Sequence, residues 1–143
     1  MQKTTNSPEE TVNYGLSLAK KSSGGDIYSL IGDLGGGKTY FTKGFALGLG
    51  LKSEIFSPSF VLMKIYKIKH HQAKFFCHVD VYRLKKPDEI LEVGLSEYIG
   101  RRDTITVIEW ADKIKKILSP YKQKVIHFKF IDKNKRKITL TDH

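Results

Sequence analysis

At 143 residues, 40% apolar and 28% charged, the chain has the size and balance of one globular domain, and no apolar run approaches the ~20 residues that a membrane span needs. Its single cysteine, Cys77, excludes an internal disulfide and a cysteine-based zinc site and points to a reducing, cytoplasmic setting. Lys and Arg outnumber Asp and Glu 25 to 15, and residues 111–143 alone hold nine Lys and one Arg against three Asp. That skew suits an acidic partner, RNA or an acidic protein face, and equally a solvated lysine-rich surface.

The polar start MQKTTNSPEE has the pattern of neither a secretory nor a mitochondrial targeting segment. Ser7-Pro8-Glu9-Glu10 then reads as a helix start, with Ser7 as cap, Pro8 at the first helical position and Glu10 completing a capping box. Val12, Leu16 and Ala19 share one face of a helix running to about Lys21. A turn over 22–25 leads to a short apolar strand over 26–31 and a glycine-rich loop over 32–38. Phe41, Phe45 and Leu49 recur at helical spacing, so a second helix follows and stops at Gly50. Residues 60–69 and 74–83 form a hairpin pattern without a turn glycine. A helical stretch opens at Pro87, breaks near Gly94 and ends at Gly100. Residues 104–108 are a β-branched run of buried-strand type, 111–118 a short helix, and 125–131 with 137–141 a final hairpin. Helices interleaved with strands and hairpins predict an α/β sandwich on a mixed sheet, built as one domain over 1–143.

Gly32-Asp33-Leu34-Gly35-Gly36-Gly37-Lys38-Thr39 matches G-x-x-x-x-G-K-[ST] in full, after a strand and opening a helix. Glycines let the backbone turn successive N–H groups onto a polyphosphate, and the helix N-terminus adds its positive dipole end. In such a loop Asp33, Leu34, Gly35, Gly36 and Gly37 wrap the phosphates, Lys38 reaches the β- and γ-phosphates, and the Thr39 hydroxyl binds Mg²⁺. The guanine signature Asn-Lys-x-Asp is not met, since Asn134-Lys135-Arg136-Lys137 lacks the Asp; adenine, hence ATP, is the expected base.

Hydrolysis also needs an acid near the metal and a group that orients water. Asp80 and Glu109 each end a β-type run, where an α/β sheet presents residues to ligand. Glu109 closes the more apolar run, the pattern of a central strand, and is assigned to Mg²⁺; Asp80 closes a hairpin strand and is assigned to attacking water or a switch. Ser59, in Ser57-Pro58-Ser59-Phe60, is placed to report the γ-phosphate or Mg²⁺. Trp110 reads as core or as a base-stacking ring, Tyr82 and Arg83 as packing or ligand contacts, and Cys77 as buried and inert. The five His carry no acidic neighbours in the sequence pattern and form no metal site.

The strings GDLGGGKTYFTKGFALGLG, SPSF, HVDVYRL, EVGLSEY and VIEW resemble, in order and spacing, the TsaE (formerly YjeE) family of bacterial ATPases in tRNA threonylcarbamoyladenosine biosynthesis. The resemblance spans about residues 8–110 and fades beyond Trp110. It implies the P-loop fold, Lys38 and Thr39 in their phosphate and magnesium roles, Glu109 as the magnesium-linked acid and Asp80 as the acid of ATP turnover. It further implies ATP hydrolysis in support of the partners TsaD and TsaB, which modify the adenosine beside the anticodon. Any tRNA contact would be indirect or through the basic C-terminal third. Ser59, Tyr40 and Ala111 depart from the residues usual in the family, Thr, Thr and Pro. A small-molecule kinase on the same P-loop is the alternative, although only four Arg are present to build a lid. A non-catalytic nucleic-acid module would leave the P-loop unexplained.

Overall fold

Strand-type and helix-type runs alternate along the chain. The computed structural model, which describes residues 1–33, 35, 37–52, 62–70 and 72–142, gathers the strand-type runs into one seven-stranded sheet. In chain order the elements are β1 (Gln2–Thr5), α1 (Pro8–Lys21), β2 (Ile27–Gly32), α2 (Lys38–Gly48), β3 (Met63–His70), β4 (Ala73–Asp80), α3 (Glu89–Glu92), β5 (Thr104–Glu109), α4 (Lys115–Leu118), β6 (Lys124–Phe130) and β7 (Arg136–Asp142), with single 3₁₀ turns at Leu95–Glu97 and Ala111–Ile114. The strands lie in the order β1-β7-β6-β2-β5-β4-β3. β2 pairs in parallel with β5 and β6, and β4 with β5, whereas β3–β4, β6–β7 and β1–β7 are antiparallel. The expected mixed α/β sheet is the one observed.

Period-two alternation sorts the strands onto two cores. Tyr28, Leu30, Phe76, Ile105, Val107, Ile126 and Phe128 face α1 and α2. Ile27, Cys77, Val79 and Ile108 face the short elements between α3 and α4. The helical layers are therefore unequal: two long helices on one face, single turns on the other. Fully buried Phe41 and Phe45 anchor α2, each contributing roughly 1.5–3 kcal/mol by burial, and they join an aromatic chain through Tyr14, Tyr28, Phe76 and Phe128.

Helix α1 begins as its sequence dictates: the Ser7 hydroxyl accepts the Glu10 amide hydrogen at 3.2 Å, Pro8 occupies the first turn, and Glu9 and Glu10 oppose the helix dipole. Four expectations shift. β1 was not predicted, because Gln-Lys-Thr-Thr shows no apolar alternation; it forms as an edge strand on β7 with only Thr5 buried. β4 ends at Asp80 rather than Arg83, because the Asp80 carboxylate accepts the Tyr82 amide hydrogen at 3.0 Å and turns the chain. The helical stretch from Pro87 condenses to α3 and one 3₁₀ turn around Gly94, whose φ of +94° ends the helix. The helix expected over 111–118 is a 3₁₀ turn followed by one α turn.

Helices α1 and α2 approach backbone to backbone. A Cβ at Gly15 would lie 2.1 Å from the Phe41 carbonyl oxygen, and one at Gly44 would lie 1.8 Å from that of Val12. Gly44→Ala is therefore expected to force the helices apart and to destabilise the protein by about 1–3 kcal/mol, the range of overpacked cores. Urea unfolding measures it, and an unchanged midpoint would show that the pair yields freely.

Candidate functional site

The loop between β2 and α2 carries the sequence match, and its backbone shows why glycine stands there. Gly35 has φ +77° and Gly37 φ +103°, conformations that L side chains rarely adopt. Gly37 is the N-cap of α2, and α2 differs from α1 in a telling way: no side chain caps it and no acid lies in its first turn. Its first N–H groups therefore have no side-chain cap from the protein, a geometry that suits an anion.

Lys38 opens that helix and is 4% exposed. Its ammonium donates to the carbonyl oxygens of Gly32 at 2.8 Å and Asp33 at 2.7 Å, and lies 3.9 Å from the centroid of the Trp110 ring. Burial lowers its pKa, and the charges of Glu109, Asp112, Asp33 and Asp80 oppose that shift. Thr39 follows, its hydroxyl donating a long 3.4 Å bond to Glu109 Oε1.

Glu109 is the last residue of β5, the strand whose six residues are all buried, beside the P-loop strand β2. Parallel pairing of β4 and β5 sets Asp80 directly opposite it. Both expected acids thus stand at adjacent strand ends, on the sheet side that faces α2. A cavity of about 310 Å³ opens there, lined by Gly35, Gly37, Lys38, Thr39, Asp80 and Glu109 together with Tyr40, Tyr82, Trp110 and Arg136. Of the expected site residues, Asp33 contributes its carbonyl to Lys38, and Leu34, Gly36 and Ser59 lie outside the described residues.

Trp110 packs against the core on the far face of the sheet and also forms a wall of this cavity. It has φ +64°, the one non-glycine residue with positive φ among those described, and its ring lies 4.8 Å from that of Tyr82. Two participants escaped the sequence reading. Arg136, at the start of β7, donates from Nε to the Gly35 carbonyl at 2.9 Å while its guanidinium sits 4.6 Å over the Phe130 ring. Nothing in a lone Arg beside a hairpin turn signalled it. His78 corrects the reading that the His lack acidic neighbours: its Nε2 lies 2.8 Å from Glu109 Oε2, both residues buried. A signal existed, for His78 and Asp80 are two apart on one strand and so share a face.

The family model described as "Threonylcarbamoyl adenosine biosynthesis protein TsaE" matches residues 5–138. The chain belongs to the TsaE family. The match reaches well past Trp110, where the motif resemblance fades. A TsaE protein of Bacillus subtilis, titled a tRNA threonylcarbamoyladenosine biosynthesis protein, is 39% identical over 96% of this chain and 82% of its own length. The Rickettsia typhi TsaE is 38% identical over 93% of this chain and 89% of its own length. The crystal structure of Bacillus subtilis YdiB superposes with a TM-score of 0.78 at 34% identity, covering 98% of this chain and 83% of that one.

On the opposite side of the sheet from this cavity, Cys77 is fully buried, and burial pushes its thiol up to about 12. Iodoacetamide at pH 8 is expected to leave the native protein unmodified and to label it fully in guanidinium; fast native labelling would contradict this placement.

Proposed function

We propose that this chain hydrolyses ATP with Mg²⁺ in support of tRNA threonylcarbamoyladenosine formation, working with TsaD and TsaB in the cytoplasm as one P-loop domain. The observation that carries the reading is the convergence on one cavity of an uncapped helix N-terminus, a buried lysine and two adjacent strand-end acids.

The donor chemistry fits the ligands. The α2 N–H groups and Lys38 suit phosphate oxygens, and Thr39 with Glu109 offers the hard oxygen ligands that Mg²⁺ prefers. Among the described residues no three His, Cys, Asp or Glu gather to hold a metal unaided, so such an ion would complete its shell with phosphate and water. When bound, it would neutralise charge on the terminal phosphates. Lys38, held by the carbonyl oxygens of Gly32 and Asp33, keeps a cation at the mouth of the loop where phosphate would bind. Asp80, level with Glu109 and less buried, is suited to orient a water. Arg136 adds a second cation at the loop from a strand near the far edge of the sheet. No described helix is long and apolar enough to cross a membrane. The basic C-terminal third supports a tRNA contact or an acidic partner groove.

Hydrolysis serves a partner only if ATP and ADP states bind it with different affinity. Turnover is therefore expected to be slow for the isolated protein and to rise when TsaB–TsaD is added. Rapid transfer of phosphate to a metabolite would favour the kinase reading. Lys38→Ala is expected to lower turnover by about 10²–10³ while the protein stays folded by circular dichroism; unchanged turnover would remove the proposal.

The two acids should separate. Glu109→Gln is expected to weaken Mg²⁺-dependent nucleotide binding by about tenfold or more, whereas Asp80→Asn keeps binding and loses turnover by about 10². Calorimetry alongside steady-state kinetics checks both, and the opposite pattern would exchange their roles.

A further inference from the structure

We propose that His78 is a positioning residue that orients the Glu109 carboxylate for the metal, an inference that rests on the magnesium–nucleotide reading above. Strand register does not create their contact: Asp80 stands opposite Glu109, and His78 stands opposite Val107. The pair is a diagonal neighbour contact across parallel β4 and β5, on the sheet side that faces α2. Both side chains are almost entirely excluded from water, 1% exposed for His78 and 2% for Glu109.

An ionised carboxylate only accepts hydrogen bonds, so His78 Nε2 carries the hydrogen and donates it to Oε2 at 2.8 Å. The other oxygen, Oε1, faces the Thr39 hydroxyl at 3.4 Å. Of these two contacts the one to Oε2 is short and the one to Oε1 long, so the imidazole is the stronger constraint on the carboxylate's orientation. With Oε2 committed to the imidazole, Oε1 is the oxygen turned toward Thr39 in the first turn of α2. This is the arrangement by which an outer hydrogen bond orients a metal-binding carboxylate.

A second observation separates this role from simple packing. His78 Nδ1 is buried and has no hydrogen-bond partner among the described residues. The ring stacks on Phe76, centroids 6.0 Å apart and planes 6° apart, so an apolar side chain would fill the place without a bare polar atom. Burying Nδ1 unpaired costs free energy. What an apolar side chain lacks is the Nε2–H on Glu109, and that bond is what the unpaired nitrogen accompanies.

The test compares His78→Leu, which removes the donor, with His78→Gln, whose amide N–H reaches toward the same position. Calorimetry measures ADP and ATP affinity in Mg²⁺ and in EDTA, and thermal melting of the nucleotide-free variants reports the fold. His78→Leu is expected to lose about tenfold or more of the Mg²⁺ enhancement while its affinity in EDTA stays within about twofold of wild type. His78→Gln should recover most of the enhancement. In a Glu109→Gln background, His78→Leu should change the enhancement no further, because both substitutions disable one unit. Full Mg²⁺ enhancement in His78→Leu, equal losses in the Leu and Gln variants, or additive losses with Glu109→Gln would each overturn the positioning role while leaving the nucleotide site standing. A wild-type protein that binds nucleotide without any Mg²⁺ enhancement would overturn the inference together with the reading it rests on.

Discussion

The carboxylate of Glu109 is 2% exposed, and a charge placed there must be compensated by neighbours that the fold brings to it. Three residues from two elements supply them. β4 contributes the His78 imidazole at 2.8 Å, α2 contributes the Thr39 hydroxyl, and the Lys38 ammonium of the same helix feels its charge. None of the three is local in sequence: His78 is 31 residues away and Thr39 is 70. The order β2-β5-β4 at the centre of the sheet makes the arrangement possible, because parallel strands end at the same edge and present their last residues together.

Lys38 is the counterpart to that acid. It is buried, yet it is satisfied by two carbonyls of its own loop and by the face of Trp110. Trp110 reaches it through a backbone turn. β5 ends at Glu109, and the next residue takes a left-handed conformation that costs about 1–2 kcal/mol for a bulky side chain. The strain directs the indole across the cavity between Lys38 and Tyr82. The same side chain also packs against the core beneath the short elements, so the turn serves packing and cavity wall together.

The cavity is also closed from a strand near the far edge of the sheet. Arg136 begins β7, one strand from the edge, and reaches back to the Gly35 carbonyl across 101 residues of sequence. The glycine-to-carbonyl approach of α1 and α2 acts similarly at a distance, since it sets how closely α2 sits and so where its N-terminus points. The charged site therefore depends on a strand near one edge of the sheet and on helix packing over one face, and the basic C-terminal third is tied to it through the hairpin that carries Arg136.

Local chemistry was legible in the sequence wherever one stretch of chain decides the outcome. The cap and limits of α1, the glycine loop, the lysine and threonine that follow, and the buried β5 run all depend on dihedral preference and side-chain periodicity within about ten residues. The two acids were legible too, because strand ends in an α/β sheet face ligand. What the sequence did not determine are pairings made by register and approach: β1 on the edge, His78 on Glu109, Arg136 on the loop, Trp110 over Lys38. Each depends on strand order and on how near two backbones come. Those distances follow from the sum of the core packing, to which no single motif corresponds, so only the tertiary structure decided them.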